Sequence, residues 1–321
     1  MSYSLNQLYK VVGISKQAVN QYAKRQAVFD EQVMLLLKEA ETLRQEHPGC
    51  GVEKMYYTLK PNFIGRDKFV DLFMDLGFRI KRKKNYHRTT TASKLYYSNL
   101  IQGMLLHSPS QVWQSDITYI KVNNEFYYAV FIIDVYTKKI VGYHVSDSLR
   151  AEANVQALKM ALKQNQAPQV HHSDKGSQYI YKDYIKLLKS QNTLISMGET
   201  ALDNAYAERI NQTIKNEYLA YWQPKNYQTL KTMTNRAVKH YNNKRLHNAV
   251  GRKTPIAFEK EVVALPKQQR PKAIIYAEGL KNEGGFEPHF VFSNKDLQAP
   301  ICPMDLNKMN NIFLTKTVNS I

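Results

Sequence analysis

The sequence predicts an α/β protein: a mixed β-sheet with helices on its faces, preceded by all-α helix-turn-helix modules. Three observations support this. From residue 111 the pattern changes from helical to strand: "VWQSDITYI" alternates and is β-branched, "EFYYAVFIIDVYT" is a long apolar strand and "KKIVGYHVSD" a third, and the short connections favour an antiparallel meander. Beyond them helical and strand-like segments alternate, which places further strands in one sheet covered by helices. Ahead of them lie only helical patterns broken by glycine and proline.

Size and charge narrow the class of partner. The chain has 321 residues, more than one hydrophobic core usually serves, so two or three domains are expected. Lys and Arg number 45 against 27 Asp and Glu, a net charge of +18, and a pI near 9.6 points to a polyanion, nucleic acid first. The start "MSYSLNQLYKVVG" lacks the apolar stretch of a signal peptide, and no apolar run is long enough to cross a membrane. A cytoplasmic, nucleoid-associated protein with no membrane partner is therefore expected. The two cysteines, Cys50 and Cys302, make neither a disulfide framework nor a Cys-rich zinc site and read as buried or idle thiols.

The elements follow in order. In "SLNQLYKVVGISKQAVNQYAKRQ" two short helices surround Gly13, with Ser15 as N-cap of the second. In a helix-turn-helix reading, Lys16, Gln17, Asn20 and Gln21 lead into the major groove. A longer helix is expected from about Asp30 to Gln45, with Val33, Leu36, Leu37, Ala40 and Leu43 on one stripe. "HPGCG" ends it. Two more short helices follow, the second opening near Gly65 with Arg66, Asp67 and Lys68 exposed, a second helix-turn-helix candidate. Between Asp75 and Asp116 there is no acid, while Arg79, Lys81, Arg82, Lys83, Lys84, Arg88 and Lys94 stand among tyrosines. This basic, aromatic segment reads as a linker that tracks a phosphate backbone. After the meander come a helix from Ala151 to Gln164, a strand ending "VHHSD", a helix "YKDYIKLLKSQ", a strand "TLISM" and the helix of "LDNAYAERINQTIKNEYL".

Three acids stand out by position. Asp116 sits inside the first strand, Asp174 ends the strand "VHHSD" before Gly176, and Glu208 lies on the last helix, with 57 and 33 residues intervening. A carboxylate inside a sheet is costly without compensation, and a metal compensates it. Oxygen-only sites suit Mg2+ or Mn2+, and two such ions serve in-line phosphoryl displacement. On the helix, Asn204, Glu208, Asn211 or Gln212, and Lys215 share a polar face, so Lys215 is placed to meet a phosphate. Asp203 reads as the N-cap. His171 and His172 have no matching Cys/His set and read as packing or hydrogen-bonding groups beside Asp174.

These stretches, together with "HYNNKRLHNAVGRKTPIAF", resemble the successive motifs of bacterial insertion-sequence transposases of the retroviral-integrase-like (DDE) superfamily, specifically insertion sequence family three. The similarity spans roughly residues 45–260, and "HPGCGVEKMYYTL" through "FRIKRKK" resembles the family's helix-turn-helix region. The resemblance implies an RNase H-like catalytic core with a mixed five-stranded sheet and a catalytic, metal-holding triad, carried onto Asp116, Asp174 and Glu208. The interval before Glu208 is somewhat shorter than the family's usual one, which leaves Glu199 as an alternative third acid.

The domains expected are an N-terminal helix-turn-helix (1–28), a second helical DNA-binding module (29–80), a basic linker (81–108), the catalytic core (109–261) and a C-terminal tail (262–321). The function implied is metal-dependent cleavage and strand transfer at the ends of a mobile element, with two Mg2+ or Mn2+ ions per site. The partners implied are double-stranded DNA, as terminal inverted repeats and target, and further copies of the chain in a homodimer or higher oligomer. A related nuclease, or a DNA-binding regulator derived from such an element, is the alternative.

Overall fold

In the computed structural model the described residues are 4–80, 97–199, 201–275 and 290–291. The chain opens with α1 (Leu5–Val12), closed by Gly13 in the left-handed region at φ 71°, where glycine carries no side-chain penalty. The next helix differs from expectation. Ser15 caps it as foreseen, accepting the N–H of Ala18, but α2 runs unbroken over Lys16–Glu46. The expected short helix and the Asp30–Gln45 helix are one element, because residues 16–46 contain neither glycine nor proline and are rich in helix formers. α2 is anchored from its middle onward: Phe29 packs on Phe63 and Leu36 and Ala40 are buried, whereas α1 buries nothing and Val11 is 82% exposed.

The helices α3 (Val52–Leu59) and α4 (Arg66–Phe73) fold against α2. Cys50, Val52, Met55, Ile64, Phe69 and Phe73 join Leu36 and Ala40 in one apolar cluster, with the Phe69 and Phe73 rings stacked at 4.1 Å. Cys50 is a buried thiol, as expected; Cys302 lies outside the described residues.

The central sheet contains β2 (Val112–Val122), β3 (Glu125–Asp134), β4 (Ile140–Ser146), β5 (Val170–Ser173) and β6 (Leu194–Met197), following β1 (Leu105–Leu106) outside it. Its order is β4-β3-β2-β5-β6. The first three strands form the antiparallel meander, and β5 and β6 run parallel to β2. Their crossovers are α5 (Glu152–Gln164) and α6 (Lys182–Ser190). One face packs α5 and α6 through Trp113, Ile132, Leu158, Tyr184 and Leu188. α5 approaches β4 so closely that a Cβ on Gly142 would lie 2.4 Å from the Ala157 carbonyl oxygen.

The other face receives α7 (Ala205–Thr213), which continues without a break through a π-helical turn, Ile214–Leu219, into α8 (Ala220–Trp222). Its apolar side, Ala207, Ile210 and Ile214, packs on Phe131 and Ile133 together with α9 (Tyr227–Asn243). This mixed, helix-flanked five-stranded sheet is RNase H-like. Residues 97–108, within the segment read as linker, and 262–275, within that read as tail, both add to the core. β1 pairs antiparallel with β7 (Lys272–Ile274), and Ile101, Leu106 and Ala273 are buried with Phe258 and Val262 of α10 (Pro255–Ala264).

Candidate active site

Asp116 stands in the middle of β2, the central strand, opposite Phe131 of β3. Asp174 follows β5, the parallel neighbour of β2, and Glu208 lies in the first turn of α7, which rests on β2 and β3. Each carboxylate is half-buried. Burial, then the charges of Asp174 and Glu208, push the Asp116 carboxyl up to about 8. Burial raises Asp174 as well, against the Gly176 N–H that donates to its Oδ1 at 3.1 Å. Burial raises Glu208, with Asp174 adding to it. The three acids are thus near enough for one carboxylate's charge to be felt by the others, and this like-charge repulsion favours protonation or a bound cation. Among the described residues no three His, Cys, Asp or Glu side chains stand at metal-holding spacing. Glu199 is exposed beyond β6, with its N–H held by Asp203.

Neutral groups fix the acids in place. Asn211, one turn after Glu208, donates from Nδ2 to Asp116 Oδ2 at 2.8 Å, which settles the choice between Asn211 and Gln212. Lys215 is half-buried on the same side; burial lowers its ammonium pKa while Asp116 opposes that shift. Gly176 cannot bear a side chain without disturbing the site, since a Cβ there would lie 2.9 Å from Asp174 Oδ1.

The entrance of α7 corrects one expectation. Its N-cap residue is Asn204, not Asp203, and Asn204 makes no capping bond with its own side chain. Gln114 of β2, fully buried, supplies the cap instead. Its Oε1 accepts the N–H groups of Tyr206 and Ala207 at 3.2 and 3.3 Å, and its Nε2 donates to the Asp203 carbonyl at 2.8 Å. The Asn204 amide in turn donates to the Ser115 carbonyl at 3.1 Å. Asp203 falls short of the cap because residues Ala201–Asn204 form a 3-10 turn that turns its carboxylate to the Glu199 N–H. The signal available in the sequence was a glutamine two residues before Asp116 in the same strand, hence on the same face.

The histidines behave as expected. His171 is hydrogen-bonded to the Tyr184 hydroxyl at 2.9 Å and His172 to Ser196 Oγ at 2.8 Å. Burial brings them down to about 3 and about 4, so both are neutral at physiological pH. A fourth acid, Asp134, was not singled out. Buried at the end of β3, it accepts from Ser110 N, Thr137 N and Thr137 Oγ1 at 2.6, 2.7 and 2.9 Å. Those donors make it a turn-forming residue.

Of the residues expected to touch nucleic acid, Lys16, Gln17 and Asn20 are exposed at the start of α2, and Arg66 and Lys68 at the start of α4. Arg66 pairs with Asp67 at 2.8 Å, and Lys68 lies 4.3 Å from the centre of the Phe29 ring. Arg82, Lys83 and Lys84 lie outside the described residues. No helix among the described residues is long and apolar enough to cross a membrane.

Two integrase core domain models match residues 107–201 and 192–255. The transposase of insertion sequence element IS629 from Shigella sonnei is 39% identical over 237 residues, covering 71% of this chain and 80% of that one. A 31 kDa protein of insertion element IS600 from the same organism is 31% identical over 243 residues, covering 72% and 88%. The HTLV-2 integrase catalytic core domain aligns with a TM-score of 0.41 at 19% identity, over 47% of this chain and 97% of that one. The chain belongs to the bacterial insertion-sequence transposases of the retroviral-integrase-like DDE superfamily and is a DNA transposase.

Proposed function

We propose that Asp116, Asp174 and Glu208 are the catalytic carboxylates of this polynucleotidyl transferase and that they would hold two divalent ions, Mg2+ or Mn2+. The observation that carries this reading is the convergence of three half-buried acids from β2, the end of β5 and the first turn of α7, where the charge of Asp174 bears on both Asp116 and Glu208 and that of Glu208 on Asp116. The donor set fits hard cations, being all oxygen, with no thiol, while His171 is bonded to the Tyr184 hydroxyl and His172 Nδ1 to Ser196. When bound, such ions supply activation of the attacking oxygen and stabilisation of the leaving one.

The chain's own residues do the rest. Asn211 orients Asp116, the Gly176 N–H orients Asp174, and Gln114 anchors the helix that presents Glu208. Lys215 supplies positive charge beside Asp116 for a phosphate oxygen. In the first step water breaks the phosphodiester at an element end and frees a 3′-hydroxyl. In the second that hydroxyl attacks a target phosphorus, and its own proton and the displaced 3′-oxygen balance the exchange.

The terminal inverted repeats are the partner proposed for Lys16, Gln17 and Asn20 and for Arg66 and Lys68, all exposed near helix starts. Arg82, Lys83 and Lys84 are proposed to track the flanking duplex. Joining two ends requires two active sites, so assembly on DNA as a dimer or larger complex is proposed. The test is strand transfer with labelled end DNA and Mg2+. Asp174→Asn is expected to bind ends and join none; normal joining by that variant would overturn the assignment.

A further inference from the structure

Two stretches that the catalytic reading leaves without a role, "EHPGCG" at residues 46–51 and "HYNNKRLH" at 240–247, meet on a single carboxylate. That carboxylate is Glu217. It lies nine residues beyond Glu208 on the same continuous helix, a separation of about 13 Å along the axis. Arg245 grips it with two parallel bonds, Nε to Oε2 at 2.8 Å and Nη2 to Oε1 at 2.7 Å. His47, buried, reaches Oε2 with its Nε2 at 2.7 Å while its ring stacks on Tyr218 at 4.9 Å. Lys54 of α3 stands 4.0 Å away. Burial alone would raise the Glu217 carboxyl, yet the bonds from Arg245 and His47 hold it well below the usual carboxylate range.

The backbones lock at the same point. The Gly49 N–H donates to the Glu217 carbonyl at 2.8 Å, and a Cβ on Gly49 would lie 2.4 Å from Glu217 Cα. Here the absence of a side chain permits the close approach. Further out, Lys244 pairs with Glu46 at 2.8 Å and Arg236 donates to the Gln45 carbonyl at 3.3 Å. The contact falls on the π-helical turn Ile214–Leu219, a local register change of the kind found often at functional sites. A side chain on such a turn depends on the turn's winding, and so does the rotation of the helix segments on either side.

We propose that Glu217 is a positioning residue: through it the helical module α2–α4 sets the register of the helix that carries Glu208 and Lys215, so that the active site is aligned only when the module is docked. The inference rests on the catalytic reading of Glu208. Seating of end DNA on the module would then be felt at the carboxylate cluster through one rigid joint.

The test uses the full chain with Glu217→Gln, Gly49→Ala, His47→Ala and the conservative His47→Gln, whose amide can still donate. Strand transfer, end-DNA affinity and hydrogen exchange of the Ala205–Thr213 amides are read together. Glu217→Gln, Gly49→Ala and His47→Ala should slow joining by roughly two- to thirtyfold, leave end binding unchanged and speed exchange in Ala205–Thr213 more than in β2 and β3. His47→Gln should restore most of the joining lost in His47→Ala. Unchanged joining and exchange in Gly49→Ala and Glu217→Gln would overturn the proposal, as would loss in step with exchange across the whole sheet, the signature of a merely structural role. If the wild-type chain joins no ends, the catalytic reading fails, while the exchange comparison still decides the joint.

Discussion

Replacing Gln114 by alanine should loosen the helix that carries Glu208 without touching an acid. The substitution removes the acceptor for the Tyr206 and Ala207 N–H groups and the donor to the Asp203 carbonyl, all supplied by one side chain with 0% exposure. Losing a capping side chain costs about 0.5–2 kcal/mol. Leaving a buried polar group without a partner costs roughly 1–3 kcal/mol. Because the two helix bonds are long, the lower half of each range applies, and a total of about 1.5–3 kcal/mol follows. Thermal unfolding should then drop by roughly 3–12 °C in a unit of this size.

Gln114→Glu makes the sharper comparison. It keeps an acceptor at the positive end of the helix but adds a fourth acid to the buried face that holds Asp116, so it should unfold above Gln114→Ala at a pH low enough to protonate it and lose that advantage as pH rises. Joining by the alanine variant should fall more than end binding, since only the Glu208 helix is displaced. An alanine variant that melts with wild type and joins ends normally would refute the capping argument.

Three further outcomes are expected. Asp116 has its carboxyl raised from 3.8 to about 8, so the folded chain holds that proton more tightly than the unfolded one. Its stabilising contribution is full below pH 3.8 and is lost as pH rises toward about 8; in EDTA, Asp116→Asn should therefore gain stability over wild type progressively across that window, and parallel denaturation curves would contradict this. Gly176→Ala keeps an allowed backbone, with φ −63°, but pushes on Asp174 Oδ1; joining should fall roughly ten- to hundredfold with little change in melting, as single-turnover rates would show. Asn211→Leu removes the donor that favours ionised Asp116, so the acid limb of the joining pH profile should move upward, and an unmoved limb would count against that role.

Much of the core was legible because its signals are local. Strand alternation located β2, a long apolar run located β3, short strand-like segments located β4 to β6, and Asp116 stood out as a charge among apolar neighbours. Ordered motifs then linked Asp116, Asp174 and Glu208. What stayed hidden depends on partners distant in sequence. The cap of α7 comes from Gln114, some 90 residues earlier, so the local cap pattern pointed to Asp203. The length of α2 was missed because its first half has no buried stripe to define it, although nothing in its sequence stops a helix. Glu217 gave no local signal, since neither His47 nor Arg245 is near it in sequence.

The most direct measurement is a crystal structure of the full chain soaked in Mn2+, with anomalous differences locating the ions. Peaks within about 2.0–2.6 Å of oxygens from Asp116, Asp174 and Glu208 together, lost in Asp174→Asn, are the result this account predicts. Mn2+ bound elsewhere, or a Glu208 carboxylate that stays apart from the two aspartates when the ion is present, would contradict it.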